Sequence, residues 1–79
     1  MVEIHPAGRR HGIADEDIEH AVTHAMVIEA QDEDTTLYLG PARSADLLEV
    51  VTVRREDEAE LAIHAMKMRS KYEPLLAGD

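Results

Sequence analysis

Two aliphatic runs, Leu47–Val53 and Leu61–Met66, flank the charged stretch Arg54–Glu60. Short runs rich in β-branched residues and separated by a polar segment suit an antiparallel hairpin with a long turn. In a chain of 79 residues, such a hairpin has to form the middle of the fold. Successive strand side chains point to opposite faces, so Leu47, Glu49, Val51 and Val53 share one face and Leu48, Val50, Thr52 and Arg54 the other. Both faces carry aliphatics, as in a central strand covered on both sides. In the second run, strict alternation sets Leu61, Ile63 and Ala65 against Ala62, His64 and Met66. The segment His64–Tyr72 that follows is basic and free of acids, and any chemistry is expected to centre there.

The other elements are read from period and punctuation. Val2–Ile4 is a candidate short strand, stopped at His5-Pro6 because proline disfavours helical geometry in the residue before it. The connector Pro6–Gly12 has room for one helical turn, with Gly12 as a left-handed stop. A helix is predicted over Ile13–Ala25: Asp15, Glu16 and Asp17 favour its N-terminal dipole, and Ile18, Ala21, Val22 and Ala25 form one apolar stripe. Strands are predicted over Met26–Ala30 and Thr35–Leu39, with Gly40-Pro41 ending the latter and Ala42–Asp46 turning into the central hairpin. A last short helix opens near Arg69 or Ser70, limited or kinked by Pro74. The fold class expected is α+β, a small antiparallel sheet packed by one helix in the N-terminal half and a short C-terminal helix, as a single domain over residues 1–79.

Composition sets limits on function. Leu, Ile and Val number 18 of 79 with no Phe or Trp, so the core is aliphatic and just large enough to fold. A domain this small buries only about 60% of its unfolded surface, which favours oligomerisation or a partner. The absence of cysteine excludes disulfides and thiolate metal sites and fits a reducing compartment. Apolar runs are far too short to span a bilayer and no charged-then-apolar signal segment opens the chain, so a cytoplasmic location is expected. A net charge of -9 opposes general nucleic-acid binding. Its distribution is uneven, however. Eight acids and no Lys or Arg lie between Asp15 and Asp34, whereas Lys67, Arg69 and Lys71 sit together without an acid. One surface would repel RNA and attract a basic partner; the other could touch phosphate.

Several groups have both a chemical and a plain structural reading. Arg9, Arg10 and His11 are either a phosphate-facing cluster or a solvated connector. Glu16, His20 and His24 align on the predicted helix at a spacing that can grip a divalent metal, but no distant further ligand is in view, so no metal site is assigned and no cofactor is expected. His64 is either a proton-transfer group or an ordinary sheet histidine.

The order of motifs resembles that of BrnT-type toxins of bacterial type II toxin–antitoxin modules, within the wider RelE-like group. The stretches that carry the resemblance are Val2–Ile4, Arg10-His11-Gly12 leading into Ile13–Ala25, Leu37-Tyr38-Leu39-Gly40, Leu47–Val53, and Ile63-His64-Ala65-Met66-Lys67-Met68. They cover nearly the whole chain in order, although each motif alone is short. The resemblance implies a RelE-like α+β fold, an endoribonuclease that arrests translation, and a DNA-binding antitoxin that neutralises it. The chain departs from the pattern where the family's serine and following arginine are His64 and Met66, where another arginine aligns with Leu61, and in a connector before His11 that is shorter than the family's first helix.

RNA cleavage through the 2′-hydroxyl needs a base, an acid and cations around the phosphorus. The residue types are present in His64, Lys67, Arg69 and Tyr72 as candidate catalytic groups, with His11, Arg54 and Lys71 as candidate RNA contacts. The implied partners are RNA and a cognate antitoxin, with a homodimer or a toxin–antitoxin complex as the assembly. The competing expectation is a non-catalytic interaction protein of the same fold, a degenerate toxin or regulatory subunit that binds through exposed sheet and acidic helix.

Overall fold

The computed structural model describes residues 2–77. The chain forms an α+β fold whose elements run β1 (Glu3–Ile4), a 3₁₀ turn (Pro6–Arg9), α1 (Asp15–Thr23), β2 (Val27–Ala30), β3 (Thr35–Pro41), β4 (Leu47–Arg54), β5 (Glu60–Lys67), a second 3₁₀ turn (Ser70–Tyr72) and α2 (Glu73–Leu76). The five strands make one sheet in the order β1-β5-β4-β3-β2. Strands β2 to β5 form an antiparallel meander, and β1 lies parallel to β5 with Glu3 beside Leu61. The expected helix, hairpin and strands are therefore all present. No helix among the described residues is long and apolar enough to cross a membrane.

Since β1 and β2 occupy opposite edges, the chain between them has to cross the sheet, and α1 makes that crossing. Its buried residues Ile18 and Ala21 pack with Tyr38, Leu48, Val50, Ala62 and Ala65. Full burial of an aliphatic side chain such as Ile18 or Leu48 contributes about 1.5–3 kcal/mol. His20, expected on the solvated side of this helix, instead donates from Nδ1 to the Pro41 carbonyl at 2.7 Å and ties α1 to the end of β3. Asp17 accepts from the backbone N–H and the Nε of Arg43, fixing the opposite end of the same helix to the β3–β4 loop.

Gly40 does not end its strand, contrary to the reading of Gly40-Pro41 as punctuation. β3 continues through Pro41, with Gly40 opposite Leu48 and Pro41 opposite Leu47. The glycine serves close approach: a Cβ at this position would lie 2.1 Å from the Ala21 carbonyl oxygen. A glycine inside a strand where another backbone presses against it is the physical exception to the rule that glycine breaks strands.

Strict alternation also fails in β5. Val51 pairs with His64 but Thr52 pairs with Ala62, so Ile63 is the extra residue of a bulge. Directly opposed residues share a face. Hence Ala62 and Ala65 both enter the core beneath α1, while Leu61 and His64, set on opposite faces by alternation, both lie on the other face with Val53 and Val51. That second face also holds the fully buried Leu39 and Glu49 and the nearly buried Leu37. Near the turn of the β4–β5 hairpin, Glu60 accepts from the Tyr38 hydroxyl and from Thr52 Oγ1. Burial and the Glu60 carboxylate push Tyr38 up to about 12, so it stays a proton donor at ordinary pH.

Candidate functional site

Glu49 is an acid within an aliphatic strand, and its carboxylate is completely buried. Burial alone would raise its pKa. The Arg69 side chain and backbone N–H, together with His64, more than offset this and hold the group down at about 2. Oε1 accepts from the Arg69 backbone N–H at 2.9 Å and from Nε at 3.0 Å, and Oε2 accepts from Nη2 at 2.7 Å and from His64 Nε2 at 2.9 Å. Every buried side-chain N or O among the described residues has a partner. The ionised carboxylate can only accept, so His64 must carry its proton on Nε2. Its Nδ1 is thereby left as the basic nitrogen when the ring is neutral.

The partners of Glu49 reach solvent although the carboxylate does not: the side chain of His64 is 29% exposed and that of Arg69 is 48% exposed. The bulge sets this geometry relative to Ala62: strict alternation would put His64 on the Ala62 face, toward α1, whereas with Ile63 as the extra residue it takes the opposite face. Arg69 is delivered by the turn out of β5, where the Met68 amide bonds the Leu47 carbonyl at 3.0 Å and carries the chain back over the start of β4.

His11 comes from the other end of the sequence. β1 docks on β5, and the His5 amide bonds the Ala62 carbonyl at 2.9 Å. The 3₁₀ turn then leads to Gly12, whose φ of +74° is a left-handed conformation that glycine adopts without strain. The His11 ring ends 5.7 Å from that of His64, centroid to centroid, with the planes 80° apart. Tyr72 lies beside Arg69, with the Arg69 guanidinium carbon 5.9 Å and Lys71 Nζ 5.0 Å from its ring centroid, both within cation–π range.

The fold thus brings together His11, His64, Arg69, Lys71 and Tyr72. Two candidates do not join them. Lys67 pairs with Leu48, a core residue of the α1 face, and so leaves the sheet on that face. Arg54 ends β4, about 17 Å along the strand from Glu49 at roughly 3.4 Å per residue. There it pairs with Glu58 and reaches the Glu33 carbonyl.

The residue missed by sequence reasoning is Glu49, which organises the others. Its signal was a lone acid between Leu48 and Val50 in a strand with aliphatics on both faces. His20 and His24 lie with ring centroids 4.3 Å apart, but no group of three or more metal-ligating side chains occurs among the described residues.

Chemically, the cluster offers two imidazoles in contact, one of them oriented through a buried carboxylate, next to two cations and a phenol. Arg69 commits Nε and Nη2 to Glu49. Its Nη1 is the remaining donor nitrogen for an incoming anion. The chain matches no protein-family model, no curated protein and no solved structure.

Proposed function

We propose that this chain is the toxin component of a type II toxin–antitoxin module of the BrnT, RelE-like kind: a cytoplasmic endoribonuclease that inhibits translation and is neutralised by a cognate antitoxin. The observation that carries the reading is the pair His11–His64, one ring fixed by the buried Glu49, with Arg69 on the same carboxylate. The order of sequence motifs shared with BrnT-type toxins supplies the class.

In this reading a phosphodiester sits over the two rings. His64 Nδ1 takes the proton of the 2′-hydroxyl, and the 2′-oxygen forms its bond to phosphorus as the bond to the 5′-oxygen breaks. His11, protonated, gives its proton to that leaving oxygen. The products are a 2′,3′-cyclic phosphate and a free 5′-hydroxyl. Arg69 Nη1 and Lys71 offset the charge that develops on the phosphoryl oxygens, and the Tyr72 ring offers a stacking surface for a base.

Incubating the purified protein with a synthetic RNA tests this directly. A cyclic phosphate end is expected, and His64→Ala and His11→Ala should each slow cleavage by about 10²–10⁴ while leaving the circular dichroism unchanged. Induced expression should arrest growth, and the His64→Ala chain should not. Cleavage that survives both substitutions would sink the assignment.

A second reading has its own observation. Arg69 spends three hydrogen bonds on Glu49, as a purely structural arginine would, which suits a non-catalytic interaction protein of the same fold. Under that reading the protein leaves RNA intact and expresses freely.

A further inference from the structure

β2 is an edge strand of the sheet, and its far side is open. The Gln31 amide donates to the Thr35 carbonyl at 2.8 Å. Antiparallel ladders bond every second residue, so Val27 and Glu29 face β3 with their peptide groups. The N–H and C=O of Ile28 and Ala30 point away from the sheet. The two large exposed hydrophobics among the described residues sit here: Ile28 in the strand, at 66%, and Met26 just before it, at 58%. Natural edges are commonly blunted by lysine, proline or a bulge. Val27–Ala30 carries neither lysine nor proline.

Charge says what can occupy it. Glu29 lies in the strand, and Asp32, Glu33 and Asp34 form the exposed turn that follows. None of these four carboxylates has an ion pair among the described residues. A second copy of the chain fits poorly: bonding Ile28 to Ala30 of a symmetric mate would set Glu29 directly against its own counterpart, and like charges so placed are destabilising. A basic strand meets the opposite condition, with apolar side chains against Met26 and Ile28 and cations beside the acidic turn.

We propose that the β2 edge is a docking site for an extended, basic segment of a partner protein, which adds as a sixth strand beside Ile28 and Ala30. β-strand addition of this kind draws affinity from main-chain hydrogen bonds and specificity from alternate side chains. The strand is short, so the complex is a weak, salt-sensitive one. The site is separate from the cleavage reading, since none of its residues belongs to the histidine cluster and Ile28 shares the sheet face of its pairing partner Tyr38, opposite the face that carries His64.

Fluorescence anisotropy with two short labelled peptides, one alternating Lys and Val and the other Glu and Val, tests the site on the whole chain. The Lys peptide is expected to bind at least about tenfold more tightly, with the difference shrinking as salt rises. Hydrogen exchange should show the Ile28 and Ala30 amides slowed by that peptide. Ile28→Pro removes an outward N–H and should abolish binding. Ile28→Lys, which leaves the backbone intact, should weaken it at least about tenfold by charge. Replacing Glu33 and Asp34 together by Lys should reverse the preference between the two peptides.

Equal binding of both peptides, or no binding of either, would overturn the proposal. So would Ile28 and Ala30 amides already protected in a free protein that sediments as a dimer, because a second copy would then hold the edge. RNA cleavage is unaffected by any of these outcomes, so failure here and failure of the ribonuclease reading remain distinguishable.

Discussion

Glu49 links stability and chemistry at the residue scale. Its folded pKa of about 2 lies below the ordinary value of 4.5, so its ionised form is the one the fold prefers. The stability it contributes is complete above about pH 4.5 and is lost as pH falls toward 2. The difference corresponds to about 3 kcal/mol, within a total of roughly 4–12 kcal/mol for a chain of this size. Urea unfolding followed from pH 7 down to pH 2.5 should therefore show a steep acid limb, and Glu49→Gln should flatten it while costing about 2–3 kcal/mol at pH 7. An unchanged limb would mean that other carboxylates carry it. That His64, Arg69 and Tyr72 are candidate groups was legible because an acid-free basic window stands out in an acidic chain. Glu49 was not, because alternation counts a single acid as one polar position and says nothing about partners 15 and 20 residues away.

At the scale of elements, periodicity located the strands and helix and misjudged two local geometries. A bulge adds one residue without changing composition, so Leu61-Ala62-Ile63-His64 reads the same with or without it; only the pairing with Val51 and Thr52 reveals the shift. Gly40 posed the complementary problem, since a glycine that admits a helix backbone looks in sequence like one that ends a strand. The close approach gives a firm expectation. Gly40→Ala sets a Cβ against backbone rather than a flexible side chain, and α1 has to lift from β3. A loss of about 2–3 kcal/mol is expected, which lowers Tm by roughly 10 °C or more in a domain this small. A melting curve within a degree or two of the parent would show that α1 is not seated as described.

For the molecule as a whole, the α+β class and the central hairpin were readable from run lengths and turn signals alone. The parallel placement of β1 was not, because two residues of strand carry no mark of which edge they will join. Charge asymmetry was readable and has a testable sign. With a net charge of -9, self-repulsion opposes the compact state, while the exposed ion pairs of Arg9, Arg43 and Arg55 contribute little. Raising sodium chloride should therefore increase Tm, even as it weakens any contact of the basic cluster with phosphate. A Tm that falls with salt would place the balance with the ion pairs.

The pairing of Glu3 with Leu61 also fixes an order of events. The meander from β2 to β5 closes short loops, whereas β1 has to find a strand near the far end of the chain and bears a larger loop-closure cost. It is expected to dock last. Substitutions in β1 should speed unfolding and leave the folding rate nearly unchanged in stopped-flow experiments, whereas those in β4 should slow folding. His11 travels with β1, so a chain emerging from synthesis holds His64 and Glu49 in register before the second histidine arrives. Under the proposed reaction, the protein gains its activity only with the final step of its folding.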